Sequence, residues 1–105
     1  MRLNRVEDVI IKTDDKDFVI KAKVDTGADR TSIDQSLVND LGLELLKEFR
    51  TVKSANGVTK RRLVKISYQL KDRLINTKAS VTDRSQMNYK LIIGCNDLKG
   101  CLVMV

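Results

Sequence analysis

The chemistry this sequence can offer is concentrated in one segment, Ala22-Lys23-Val24-Asp25-Thr26-Gly27-Ala28-Asp29-Arg30-Thr31-Ser32-Ile33. A strand-like run leads straight into Asp25-Thr26-Gly27-Ala28, and the chain then returns to an apolar residue. A carboxylate placed directly after a core strand is held on a rigid element, and the glycine lets another stretch of backbone come close. The Thr26 hydroxyl can hydrogen-bond across to a partner loop. One carboxylate is not enough to hydrolyse a peptide bond without a metal. Two are, if they lie about 3 Å apart, because their repulsion keeps one of them protonated. The ionised member then takes a proton from water while the protonated member donates to the carbonyl oxygen. Asp-Thr-Gly occurs once in the chain, so the second carboxylate has to come from a second copy, brought to a two-fold axis. The expectation is a homodimer in which Asp25 is the catalytic carboxylate of each copy, in a loop shaped by Thr26 and Gly27.

Those residues need strands to hold them. Proline is absent and glycine occurs only at 27, 42, 57, 94 and 100, so each glycine is informative punctuation. Residues 9–11 and 18–24 read as the strands of a hairpin turned at 13–17. The acidic turn lacks the glycine and the closing glutamate of a calcium loop. Asp34 suits the N-cap of a short helix over 35–41, and Gly42 suits the position just past its end. Strands at 49–54 and 58–70 flank Ala55-Asn56-Gly57, and Asn-Gly between extended segments signals a hairpin. Residues 71–73 turn the chain into a strand at 74–81. Leu91-Ile92-Ile93 is a short apolar strand ended by Gly94, followed by one helical turn at 95–99 and a last strand at 101–105. About seven strands at hairpin spacing predict an all-β fold: a small closed β-barrel with one or two short helices, forming a single domain over residues 1–105.

Composition bounds the partners. The chain has 105 residues, 42% of them hydrophobic and 32% charged, as in an ordinary soluble domain. No apolar run approaches the roughly 18 residues that span a bilayer, and residues 1–8 lack the apolar stretch of a signal peptide. A cytoplasmic protein with no membrane partner is expected. Cys95 and Cys101 sit in apolar surroundings in a chain without histidine. They are expected to be buried small hydrophobes in a reducing compartment, so no metal and no cofactor are anticipated. The net charge is +6, with the densest cluster at Lys60-Arg61-Arg62 and Lys65. Phe18, Phe49, Tyr68 and Tyr89 do not interleave with it, which argues against a nucleic-acid stacking platform. The cluster reads first as a solvated strand face, although a basic surface favours acidic partners.

Asp25-Thr26-Gly27-Ala28-Asp29 resembles the active-site loop of retropepsins, the viral-type homodimeric aspartic proteases. Leu91-Ile92-Ile93-Gly94-Cys95-Asn96-Asp97-Leu98 resembles their second signature: an apolar run, glycine, usually arginine, then Asn or Asp and a short helix. Both stand in the family's order, with the Asn56-Gly57 hairpin between them, where a flap belongs. The resemblance implies an acid-protease barrel and aspartic peptidase activity, with Asp25, Thr26 and Gly27 catalytic, Ala28 and Asp29 beside them in the substrate-binding loop, and a flap in which Ser54, Ala55, Asn56 and Gly57 contact the substrate. A narrower likeness is to an archaeal and bacterial branch labelled ATP-dependent zinc proteases, found alongside ATP-grasp amino-acid ligases. Ser54, Asn56-Gly57, Arg62 and the run at 82–89 carry it. The chain has no phosphate-binding glycine-rich loop and no histidine to support that label. One departure stands out: Cys95 occupies the place of the usual arginine, which in the family pairs with the acid at the Asp29 position. Asp29 then needs another partner, with Arg30, Arg84 or Arg5 of the partner subunit as candidates. Asp83 and Arg84 read as a structural ion pair in a loop.

Two other functions compete. A non-enzymatic peptide-binding or dimerisation module on the same fold is favoured by Cys95 and opposed by the intact Asp25-Thr26-Gly27. A nucleic-acid-binding barrel rests on charge alone. The expected partners are a second copy, joined through the Asp25 loops and the terminal segments 3–6 and 101–105, and a peptide or protein substrate. An acidic substrate is suggested by residues 58–65, which carry four cations.

Overall fold

Alternating apolar residues generate most of the strands in the computed structural model, which describes residues 1–104 and leaves the Ser54 side chain outside the description. In chain order the elements are β1 (Arg2–Leu3), β2 (Val6–Lys12), β3 (Asp17–Val24), β4 (Ser32–Asp34), α1 (Gln35–Leu41), β5 (Leu45–Ser54), β6 (Gly57–Leu70), β7 (Arg73–Thr82), β8 (Leu91–Ile93) and β9 (Leu102–Val103). A single 3₁₀ turn, Cys95–Asp97, follows β8. Val9 and Ile11 of β2, Ala22 and Val24 of β3, and Val64, Ile66, Tyr68 and Leu70 of β6 point to one side and are buried, as the two-residue period of a strand requires.

The strands pair in the order β2-β3-β8-β4-β7-β6, and β6 returns to β2, which closes a six-stranded barrel. The expected all-β barrel is the fold found. Two of its joints are parallel, β3 with β8 and β4 with β7. β8 is buried at all three positions, which explains its uninterrupted apolar sequence. β6 is long enough to serve twice. Its second half lies in the barrel, while its first half, exposed from Gly57 to Lys60, projects as a hairpin with β5.

Helix α1 has the expected ends. The Asp34 carboxylate accepts from the Ser36 N–H at 3.1 Å, and Gly42 takes the left-handed conformation at φ 63°. β5 starts at Leu45, four residues before the expected Phe49. A register shift between Leu45 and Phe49 blurs the alternation there, and Arg62 Nε holds the Leu46 carbonyl at 2.7 Å. The helical turn after β8 is shorter than the expected 95–99. The terminal segments pair within one protomer, β1 parallel to β9, and Val105 of the expected last strand lies outside the described residues. The cysteines differ from expectation: Cys95 is exposed and Cys101 half-buried. Cys95 opens the 3₁₀ turn, and it is Leu98, three residues on, that reaches the core.

Candidate active site

β3 delivers Asp25 to the end of a buried strand, with Val24 packed in the core just before it. Two backbone bonds fix this exit: the Val24 N–H donates to the Arg5 carbonyl at 2.7 Å, and the Asp25 N–H to the Ile93 carbonyl at 2.9 Å. The chain then turns back, with the Ala28 N–H on the Asp25 carbonyl at 3.2 Å. The half-buried Asp25 side chain is oriented by its own loop, its Oδ1 accepting from the Gly27 N–H at 2.9 Å. Thr26 and Gly27 are exposed at the rim.

The loop is stapled to the segment that follows β8. The Cys95 N–H donates to the Ala28 carbonyl at 2.7 Å, and the Asn96 N–H to the Asp29 carbonyl at 3.0 Å. Gly94 makes this approach possible: a Cβ there would lie 2.3 Å from the Arg30 carbonyl carbon. Below it, buried Thr31 accepts from the Gly94 N–H at 3.1 Å and donates to Asp97 at 2.5 Å. The fully buried Tyr68 donates to the same Asp97 oxygen at 2.8 Å. Burial, and then the Asp97 charge, push the Tyr68 hydroxyl well above its usual range, so it remains a donor. This network ties the barrel core to the active-site loop. The sequence marks Asp97 only as part of the second signature and gives Thr31 and Tyr68 no site role, because the meeting of the three is a long-range contact.

In front of Asp25 lies a concavity of about 490 Å³ whose lining includes Asp25, Thr26, Lys23, Leu102, Val103 and Met104. Leu102 and Met104 are 65% and 48% exposed there. The structure thus brings Asp25, Thr26 and the C-terminal strand together on one face. Ala55 and Asn56 form the two-residue turn of the β5–β6 hairpin, with Ser54 paired to Gly57 across it. Gly57 has φ 117°, which a side chain would resist. The side chain of Ser54, an expected contact residue, lies outside the described residues.

Within one protomer Asp29 pairs with neither Arg30 nor Arg84, two of the three partners expected. Its carboxylate is 84% exposed, with Arg50 Nη2 at 3.9 Å. Arg50 lies on β5 directly opposite Arg61 on β6. Asp83 and Arg84 do not form the expected ion pair. Asp83 accepts from the Ser85 N–H at 3.0 Å, and Arg84 Nε donates to the Tyr89 carbonyl at 2.9 Å. Burial lowers the proton affinity of Arg84, the Asp34 and Asp25 carboxylates act against this, and the Arg61 cation reinforces it. Arg84 therefore lies within electrostatic reach of both Asp25 and Arg61, although it is far from either in sequence. Arg50, Arg61 and Arg84 make the surroundings of Asp25 and Asp29 basic. Among the described residues no group of three His, Cys, Asp or Glu side chains comes together as metal ligands, and no helix is long and apolar enough to cross a membrane.

The sequence model of the aspartyl protease family matches residues 9–96. The chain belongs to that family. The match spans the Asp25 loop, the hairpin and β8. Among solved structures, this aspartyl protease family member resembles the EIAV protease complexed with an inhibitor, with a TM-score of 0.70 at 20% identity over 95% of this chain and 91% of that one. A Legionella pneumophila protein of unknown function gives a TM-score of 0.66 at 20% identity, covering 98% and 91%. The simian foamy virus protease gives 0.65 at 16% identity, covering 89% and 90%. These likenesses show a retropepsin-like fold. No match was found among curated proteins.

Proposed function

We propose that the chain is one protomer of a homodimeric aspartic endopeptidase, with Asp25 as the carboxylate each copy contributes. The observation that supports this most is the setting of Asp25: a half-buried carboxylate at the end of a core strand, aimed by the Gly27 N–H at 2.9 Å and facing an open concavity. Exposed Leu102 and Met104 beside it supply apolar surface for a second copy to cover. Across the two-fold axis the two Asp25 carboxylates share one proton. The ionised one accepts a proton from water as its oxygen attacks the peptide carbonyl, and the other donates its proton to the carbonyl oxygen. Collapse of the resulting gem-diol transfers a proton to the leaving nitrogen and restores the pair. Thr26 and Gly27 hold the loop, and Ala28 and Asp29 offer backbone and carboxylate to an extended peptide. The β5–β6 hairpin, with Ser54, Ala55, Asn56 and Gly57 at its tip, acts as the flap.

The basic surroundings set by Arg50, Arg61 and Arg84 favour an acidic peptide. No metal, cofactor or nucleotide enters the reaction. The free thiols of Cys95 and Cys101 suit a reducing, cytoplasmic setting. Ser54, Asn56-Gly57, Arg62 and the run at 82–89 support placement near the archaeal and bacterial cellular branch.

One observation favours a second reading, a peptide-binding or dimerisation module with little activity. The Asp29 carboxylate is largely exposed, with its arginine only at 3.9 Å, so its ion pair does little to hold the loop. Cleavage of a peptide library by wild type and by Asp25→Asn decides between them. The proposal expects cleavage by wild type and none by a folded Asp25→Asn. Peptide binding without cleavage by wild type would favour the module, and cleavage by the variant would remove Asp25 from the mechanism.

A further inference from the structure

A groove larger than the one in front of Asp25 lies elsewhere on the protomer. Its volume is about 610 Å³, and its lining includes Arg30, Lys65, Asn76, Lys78, Asn96 and Asp97. Three cations line it, and the carboxylates near them are already engaged. The Asp97 oxygen that accepts from Thr31 also accepts from Tyr68, and both Glu48 oxygens lie 2.9 Å from Lys78 Nζ. Among the described residues no carboxylate comes within ion-pairing distance of Arg30 or Lys65. Arg30 is also poorly satisfied: Nη1 reaches the Lys78 carbonyl at a long 3.4 Å, and the enclosed Nε has no acceptor among the described residues. Nε is shut off from the groove, so a bound carboxylate would meet the Nη end of this planar guanidinium, where it can take two N–H bonds at once.

The groove adjoins the active-site loop. Arg30 is five residues beyond Asp25 in the chain, which places their Cα atoms no more than about 18 Å apart. The Asn96 N–H binds the Asp29 carbonyl at 3.0 Å, so groove wall and loop share a hydrogen bond. A peptide lying extended across Asp25 at about 3.3 Å per residue can therefore reach the groove within about five residues of the bond to be cut. We propose that this groove is a subsite for an acidic side chain of the substrate, with Arg30 as its reader and Lys65 as supporting charge. The inference rests on the peptidase reading and adds the position at which charge is recognised.

The test is a set of otherwise neutral peptides carrying one glutamate, moved one position at a time, each with a glutamine counterpart. kcat/KM is measured at low ionic strength for wild type, Arg30→Met, Arg30→Lys and Lys65→Met. At one position remote from the scissile bond the wild-type preference for glutamate over glutamine should reach about tenfold. It should collapse toward one in Arg30→Met, survive in part in Arg30→Lys and weaken in Lys65→Met. A ratio near one at every position, or one unaffected by both Arg30→Met and Lys65→Met, overturns the inference while leaving the peptidase reading intact. The same labelled peptides are titrated into Asp25→Asn protein by fluorescence anisotropy, with and without Arg30→Met. Charge-selective binding that depends on Arg30 supports the subsite even if wild type cuts nothing. Absence of both cleavage and charge-selective binding refutes both proposals.

Discussion

Gly94→Ala should be among the most damaging small substitutions in this protein, although it adds a single methyl group. Gly94 has φ −87°, a backbone conformation open to alanine, so the damage comes from crowding alone. The new Cβ would lie 2.3 Å from the Arg30 carbonyl carbon and 2.7 Å from its Cα and nitrogen, against an ordinary carbon contact of about 3.5–4.0 Å. Backbone cannot rotate away as a side chain can, so the two segments must part by roughly 1 Å or more. Overpacking of this kind costs about 1–3 kcal/mol. Parting also stretches the Cys95–Ala28 and Asn96–Asp29 backbone bonds, at 2.7 and 3.0 Å, each worth about 1 kcal/mol. Together these give roughly 3–5 kcal/mol of destabilisation, and for a domain of this size a melting temperature lowered by about 12–20 °C. Urea denaturation followed by circular dichroism, at matched protein concentration, measures it. The midpoint should fall with little change in slope. Gly42→Ala is the control. Nothing lies within 4 Å of a Cβ there, but φ is +63°, so only the left-handed backbone resists and about 1 kcal/mol should be lost. Gly94→Ala as mild as Gly42→Ala would mean that the loop staple yields freely, and the account of a rigidly held Asp25 would be wrong.

Three further outcomes follow from the same geometry. Asp34→Ala removes both the helix cap and the acceptor of the Arg84 N–H at 2.6 Å, and should lose about 2 kcal/mol at neutral pH. Hydrogen bonding, first from the Ser36 side chain, holds the Asp34 carboxyl below its usual value against the effect of burial. Its stabilisation is therefore complete above about pH 4 and is lost as pH falls through the lower folded-state value. Urea midpoints at pH 7 and pH 3 should converge between wild type and variant, and a constant gap would contradict this. Mixing wild type with excess Asp25→Asn should suppress peptidase activity as mixed dimers form, whereas activity additive in wild type alone would rule out shared carboxylates. Peptide cleavage should continue in the presence of a chelator and without ATP, with an acid-side optimum, and full chelator inhibition reversed by zinc would exclude the carboxylate mechanism.

What could be read from the sequence was what short-range chemistry determines. Asp34 and Gly42 bracket α1 because a cap and a left-handed terminus act within one turn of chain. Asn56-Gly57 marks the hairpin, but the pairing of Ser54 with Gly57 makes Ala55–Asn56 the loop, since Gly57 rather than Asn56 carries the positive φ. β1 and β4, two and three residues long, carry too little pattern to be recognised. Their partners, β9 and the pair β7 and β8, are remote in the chain. The cysteines depart from expectation for a related reason. The buried run Leu91–Ile93 makes the neighbourhood of Cys95 look apolar, yet the 3₁₀ turn that follows faces Cys95 outward.

The candidate site divides along the same line. Asp25, Thr26 and Gly27 are legible because the loop between β3 and β4 is contiguous, whereas Arg50 and Arg84 reach the loop only through the folded barrel. The loss of the usual arginine at position 95 then has a smaller consequence than the motif alone implies. An arginine on the exposed Asp29 would contribute at most about 1 kcal/mol as a surface ion pair. The bonds that hold the loop run from the backbone N–H of Cys95 to Ala28 and of Asn96 to Asp29, and neither depends on which side chain stands at 95. The identity that matters there is Gly94, because any side chain on it would push these two segments apart. Asp97 reinforces the joint from below, where Thr31 and Tyr68 reach one oxygen of a carboxylate that lines the basic groove. Asp97 spends this oxygen on the barrel side and makes no ion pair with Arg30 among the described residues, so one arrangement both steadies the Asp25 loop and leaves the Arg30 guanidinium without a carboxylate partner.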